Sequence, residues 1–174
     1  ASTEGYAISK EITLPSDIEL LAGKVTTLNV SLVAENVVKE ETGLALPFED
    51  DFARFPIANN ENAVSTLGDN YSAFENIYNS KSVEGVKFGT GSKKGSITTV
   101  PLNLDQPFTV VVKAMAYGSD KTKVKVAVGD VSQEIALTSE NKYYSLEFDA
   151  ATKKSSLTLE AVNTDDCRFH LDDL

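Results

Sequence analysis

Apolar and polar residues alternate with a period of two along most of this chain, the spacing of strands that bury one face and wet the other. In residues 25–32, Leu28, Val30 and Leu32 share one side, with Thr27, Asn29 and Ser31 on the other. Lys123–Val128 repeats the pattern with lysines outward and valines inward. Residues 108–117 are apolar on both sides: Phe108, Val110, Val112, Ala114 and Ala116 on one, Val111, Met115 and Tyr117 on the other. That predicts a strand lying centrally in its sheet.

Further strands are predicted over residues 6–14, 83–88, 96–104, 131–137, 143–148, 156–161 and 167–171. Pro101 confines its segment to an edge or a bulge. Residues 58–82, rich in Asn, Ser and Gly, read as packed loops holding a short strand around Tyr71, Phe74 and Tyr78. Gly129-Asp130 is a turn signal, and residues 118–122 and 89–96 read as hairpin connections. No amphipathic helix of useful length is present. About eight closely spaced strands without helices predict an all-β fold, an antiparallel β-sandwich or a closed barrel.

Residues 35–46 are charged and lose the alternation, which marks a linker. The chain therefore divides into residues 1–45, a strand pair and linker expected as the remnant of a preceding β domain or as an appendage packed on the rest, and a main domain over residues 46–174. Two strands alone are marginally stable.

Composition narrows the function classes. Sixteen basic and twenty-six acidic residues leave a formal charge of -10, which repels phosphate backbones and argues against nucleic acid as a partner. No stretch approaches the roughly 18 apolar residues of a membrane helix, so no membrane span is expected. Cys167 and His170 are the single cysteine and histidine. An internal disulfide, a cysteine-based zinc site and a His-rich metal site are thereby excluded, and no Gly-x-Ser-x-Gly motif supports His170 as a general base. Residues 89–96 are glycine-rich but lack phosphate-loop spacing. The first residues carry no secretory leader pattern, so a leader is expected to be absent or removed.

The most pointed chemistry lies in Pro47-Phe48-Glu49-Asp50-Asp51-Phe52, three carboxylates held between phenylalanines. Adjacent acids repel unless a positive group sits near them, and a hard oxygen-binding cation such as calcium suits that set. A solvated strand end and a pair of catalytic carboxylates are the alternatives, the latter without a second motif to fix the pair. Tyr71, Tyr78, Tyr117, Tyr143 and Tyr144 are the residues for ligand stacking, Tyr117 foremost because it ends the central strand on the face opposite Phe108 and Val110.

Residues 46–174 resemble the jelly-roll modules of the galactose-binding-like and carbohydrate-binding-module type found in bacterial surface proteins. The matching pieces are 47–52, Ser82-Val83-Glu84-Gly85-Val86-Lys87-Phe88-Gly89, Gly95-Ser96-Ile97-Thr98-Thr99 and Arg168-Phe169-His170-Leu171-Asp172-Asp173-Leu174. The resemblance implies a jelly roll whose first and last strands lie side by side. It also implies a structural calcium held by Glu49 or Asp50 with Asp172 and carbonyls of residues 80–85, and a ligand face drawing on Tyr117, Tyr71, Tyr78 and His170. The expected function is a non-catalytic binding module, not an enzyme, on a secreted or cell-surface protein, a lipid-anchored outer-membrane protein included, with carbohydrate or a protein surface as partner. The chain departs from sugar-binding members in having no tryptophan. That departure supports the alternative, a structural or adhesive spacer without a sugar site.

Overall fold

A computed structural model describes residues 41–174, which belong to a compact unit spanning Lys39–Leu174. The strands expected over residues 6–14 and 25–32 lie outside the described residues.

Ten strands are described: β1 (Tyr71–Glu75), β2 (Ile77–Asn79), β3 (Val86–Phe88), β4 (Ser96–Thr99), β5 (Phe108–Ala116), β6 (Lys123–Val128), β7 (Val131–Ala136), β8 (Lys142–Phe148), β9 (Leu157–Ala161) and β10 (Phe169–Asp173). They form two five-stranded antiparallel sheets, ordered β1-β4-β9-β6-β7 and β2-β3-β10-β5-β8. The fold is an antiparallel β-sandwich of jelly-roll type, with no helix among the described residues.

Alternation decides which side chains enter the space between the sheets. Val110, Val112, Ala114 and Ala116 of β5 meet Val124, Val126 and Val128 of β6, with Leu157, Leu159, Phe169 and Leu171. Cross-strand partners Phe88 and Phe169 stack at 4.2 Å between centroids, and Phe108 and Phe148 at 5.4 Å. Such aromatic pairs add about 0.5–1.5 kcal/mol beyond their burial. β5 is the longest strand and is paired on both sides, by β10 and β8. Gly129-Asp130 turns β6 into β7, but residues 89–95 and 117–122 join strands of different sheets and are crossovers between layers.

Three further elements differ from expectation. Residues 47–52 form no strand; their link to the closing strand is one reciprocal backbone pair, Asp50 N–H to Leu174 O at 2.7 Å and Leu174 N–H to Asp50 O at 2.9 Å. Phe52 then takes φ of 48°, its N–H held by Asp50 Oδ1, and this left-handed residue ends any extended run. Residues 71–79 make two strands in different sheets, split at Asn76 with φ of 50°. Gly43 and Leu44, within the segment read as linker, bond to the sandwich through Gly43 N–H to Lys153 O and Leu44 N–H to Pro101 O.

Gly85 shows how tightly the ends approach. Its φ is 96°, and a Cβ there would lie 2.1 Å from Leu171 O, so only glycine lets this turn cross the closing strand.

Candidate functional site

The outer face of the β2-β3-β10-β5-β8 sheet carries most of the chemistry-bearing side chains. Register alone builds its first row: Tyr78 opposite Lys87, Lys87 opposite His170, His170 opposite Met115. Tyr117 follows at the end of β5, its ring 5.4 Å from the His170 ring and stacked on it. Three of the four residues expected to bind ligand, Tyr78, Tyr117 and His170, are thus brought together.

This half of the face is sealed. Residues 58–64 run along the sheet edge, with Ala63 bridging Tyr78, Asn79 N–H on Asn62 O and Val64 N–H on Ile77 O. Glu61 reaches from this strap to form an ion pair with Lys87, which lies 5.1 Å from the Tyr78 ring centroid and 5.0 Å from that of Tyr117. Arg168 covers Tyr117 at 4.4 Å and forks onto Asp120 at 2.8 and 2.9 Å. Beneath these groups His170 is 1% exposed and its Nδ1 has no hydrogen-bond partner among the described residues. Burial pushes His170 down to about 4, helped by Lys87 and opposed by Glu61. Burial works against the charged form of Glu61, but Lys87 outweighs it and holds that carboxyl below its usual range. His170 is therefore a neutral packed imidazole, and the sealed half offers no open ligand contact at it.

The other half is open. Tyr143 on β8 pairs with Lys113 on β5 and is 63% exposed. Its hydroxyl donates to Asp173 Oδ2 at 2.7 Å, and Lys113 Nζ stands 5.7 Å from its ring centroid. Lys113 in turn bonds Asp172 Oδ2 at 2.6 Å, and Asn141 Nδ2 donates to the same oxygen at 2.9 Å. An exposed aromatic plate is thus anchored at its tip and ringed by donors and acceptors.

The fourth expected ligand residue, Tyr71, is elsewhere. It is buried on β1, in the other sheet, and its hydroxyl donates to Asp50 Oδ2 at 2.8 Å. Burial and the Asp50 charge push its phenol well above the usual range.

The expected calcium ligands do not converge. Asp50 is held by both guanidinium nitrogens of Arg54, at 2.5 and 2.7 Å, besides Tyr71 and the Phe52 amide. Burial disfavours its charge, yet those donors together lower its carboxyl below the usual range. Asp172 turns the opposite way, to Lys113 and Asn141, and Glu49 is exposed. Calcium takes about six to eight oxygens at one point. Here each buried acid has spent its oxygens on a cation of the chain, and no group of three or more acids, His or Cys able to hold a metal occurs among the described residues. The backbones of Asp50 and Leu174 do meet, as the resemblance implies; the side chains part. The i, i+4 spacing of Asp50 and Arg54 signals a pair only on a helix, and residues 50–54 form none, so the sequence carried no specific sign of this pairing.

Comparison with known proteins adds three findings. A family model described as a domain of unknown function, DUF7024, matches residues 92–169. No curated protein matches. Among solved structures the chain is similar to one titled "BiXyn10A CBM1 APO", at 11% identity, covering 72% of this chain and 93% of that one with a TM-score of 0.45. It is also similar to "Carbohydrate-Binding Module CBM36 in complex with calcium and xylotriose", at 14% identity, covering 72% and 96% with a TM-score of 0.43. The chain is similar to carbohydrate-binding modules. Identities this low transfer no ligand and no residue role.

Proposed function

We propose that residues 41–174 form a non-catalytic carbohydrate-binding module whose ligand lies on the open half of the outer face, against Tyr143. The observation that carries this reading is the exposed Tyr143 ring, fixed by Asp173 and bordered by Lys113, Asp172 and Asn141. A sugar presents an apolar ring face to an aromatic plate and hydroxyls to the Asp173 carboxylate and the Lys113 ammonium beside it. Hydroxyls can both donate and accept, which matches a rim of mixed charge, and the overall charge of -10 favours neutral glycans over acidic ones.

Binding without turnover is supported by the state of the acids. Asp50, Asp120 and Asp172 are engaged by Arg54, Arg168 and Lys113, and His170 is sealed from solvent. Calcium forms no part of the proposal. A glycan array followed by titration calorimetry on the full chain and on Tyr143→Ala tests it. Binding by the parent and its loss in the variant supports the site; silence of the parent across neutral polysaccharides removes it.

An adhesive spacer is the second reading. It is favoured by an apolar cleft of 470 Å³ between Leu46-Pro47-Phe48 and the first half of β5, floored by Leu102, Leu104 and Leu157. Chain association without any glycan binding would support that reading.

A further inference from the structure

Around Asp50 the structure holds a cation socket built from distant parts of the chain. Both carboxylate oxygens of Asp50, the carbonyl of Leu67 and the hydroxyl of Tyr71 gather at Arg54: the guanidinium donates to Asp50 Oδ1 at 2.5 Å, Asp50 Oδ2 at 2.7 Å and Leu67 O at 2.7 Å, while Tyr71 donates to the same Asp50 Oδ2 at 2.8 Å. The rings of Phe52 and Phe55 flank it at 5.2 and 4.9 Å. The Asp50 side chain is almost wholly buried and that of Arg54 is 42% exposed, so the guanidinium stands between a buried carboxylate and water. Asp50 is also the residue whose backbone pairs with Leu174, so the socket ties the opening segment to β1, to the loop at Leu67 and to the closing end. A planar fork makes two parallel bonds to the carboxylate oxygens from two nitrogens and a third to the carbonyl, a geometry that the three donors of an ammonium, all on one nitrogen, do not match.

We propose that the Arg54 guanidinium serves as the structural cation that holds the opening segment of this module, and that the fold of the described residues therefore needs no divalent metal at Asp50. The socket is charge-matched to one fixed internal cation. Taking that cation away leaves the Asp50 carboxylate buried beside Tyr71 and the Phe52 amide with no positive partner, the condition in which a buried charge is most destabilising. It also leaves a guanidinium-shaped opening lined by oxygens. This inference does not rest on the carbohydrate reading, and none of Tyr143, Lys113, Asp172, Asp173 and Asn141 belongs to the socket.

Thermal melting of the full chain tests it, in calcium chloride, in EDTA and in methylguanidinium chloride, with sodium chloride at equal ionic strength as control. The parent is expected to melt at the same temperature in calcium and in EDTA. Arg54→Ala should melt about 5 °C or more lower and regain part of that loss in methylguanidinium but not in sodium chloride. The double variant Asp50→Asn, Arg54→Ala should not respond. Arg54→Lys, which keeps the charge and loses the fork, should fall between parent and Arg54→Ala; it carries the test if Arg54→Ala does not fold. A parent whose melting temperature rises with calcium and falls with EDTA overturns the proposal. So does an Arg54→Ala protein as stable as the parent, or a methylguanidinium effect equal in the single and double variants.

Discussion

The two halves of the outer face use nearly the same residue types to opposite ends. On one half Tyr78, Tyr117, Lys87 and Glu61 interlock above His170; on the other Tyr143 stands in the open, held by Asp173 and bordered by Lys113 over the buried Asp172. The difference is the strap of residues 58–64, which adds a short pairing to the β2 edge and delivers Glu61 over Lys87. An aromatic residue with a cation on its ring is thus structure where a neighbouring segment excludes water, and presented surface where none does. Desolvation, more than residue type, assigns the role.

The largest expected effect comes from breaking the seal. Glu61→Ala leaves Lys87, the more deeply buried partner, without its counter-charge and should cost about 3 kcal/mol in urea unfolding. Lys87→Met should cost less, because Glu61 can turn to water. Equal losses would mean that the strap, not the buried charge, sets the stability of this half.

Acid should separate the halves next. His170 falls from 6.5 to about 4 on folding, so between those values the unfolded chain binds the proton and the folded chain does not. Stability is full above about pH 6.5 and is lost as pH falls toward 4, by about 3 kcal/mol in all. His170→Gln should flatten the curve in that window. Asp50 and Asp120, whose carboxyls are lowered, lose their contribution only at more acidic pH, which keeps the two effects apart.

On the open half the expectation reverses, with small changes in stability and real ones in affinity. Tyr143→Ala should weaken glycan binding about tenfold while shifting the unfolding free energy by no more than about 0.5 kcal/mol. Asp173→Asn, which weakens only the anchor of the Tyr143 hydroxyl, should weaken binding about threefold. If Tyr143→Ala unfolds the protein as readily as Glu61→Ala, the contrast between the halves is wrong.

Much of the sandwich was legible because strand alternation is a local signal. The inward valines of β6 and the two apolar faces of β5 could be read residue by residue, and both strands formed where expected. The acidic opening could not be read that way. Its extended run is cut at Phe52 by a side-chain-to-backbone bond and a left-handed turn, and Asp50 is claimed by Arg54 four residues on and Tyr71 twenty-one residues on. His170 was correctly turned away from Phe169 and Leu171, yet what meets it on that face comes from far along the chain: the Tyr117 ring stacked on it and the charge of Glu61, more than a hundred residues earlier. Alternation says which face a residue takes; what covers that face is a tertiary fact. Tyr143 was one of five candidate tyrosines, ranked behind Tyr117; alternation on β8 turns it out where Tyr144 turns in, and among the described residues no segment like that of residues 58–64 covers it.

Cys167 gives the molecule a built-in reporter. Its thiol is 1% exposed, lies within 3.3 Å of Thr90 O and 3.5 Å of Lys93 O, and is pushed up by burial, so it is both hidden and protonated in the native state. A thiol reagent reaches it only through an opening of the structure around it, which includes the segment between β3 and β4 that carries Thr90 and Lys93. As the chain has one cysteine, labelling reports that opening at a single site without a mutation, as a rate when the reagent outpaces reclosing and as an open population when it does not. The kinetics of a single sulfur atom would then show whether the closing end of the sandwich breathes on its own or comes apart only with the whole.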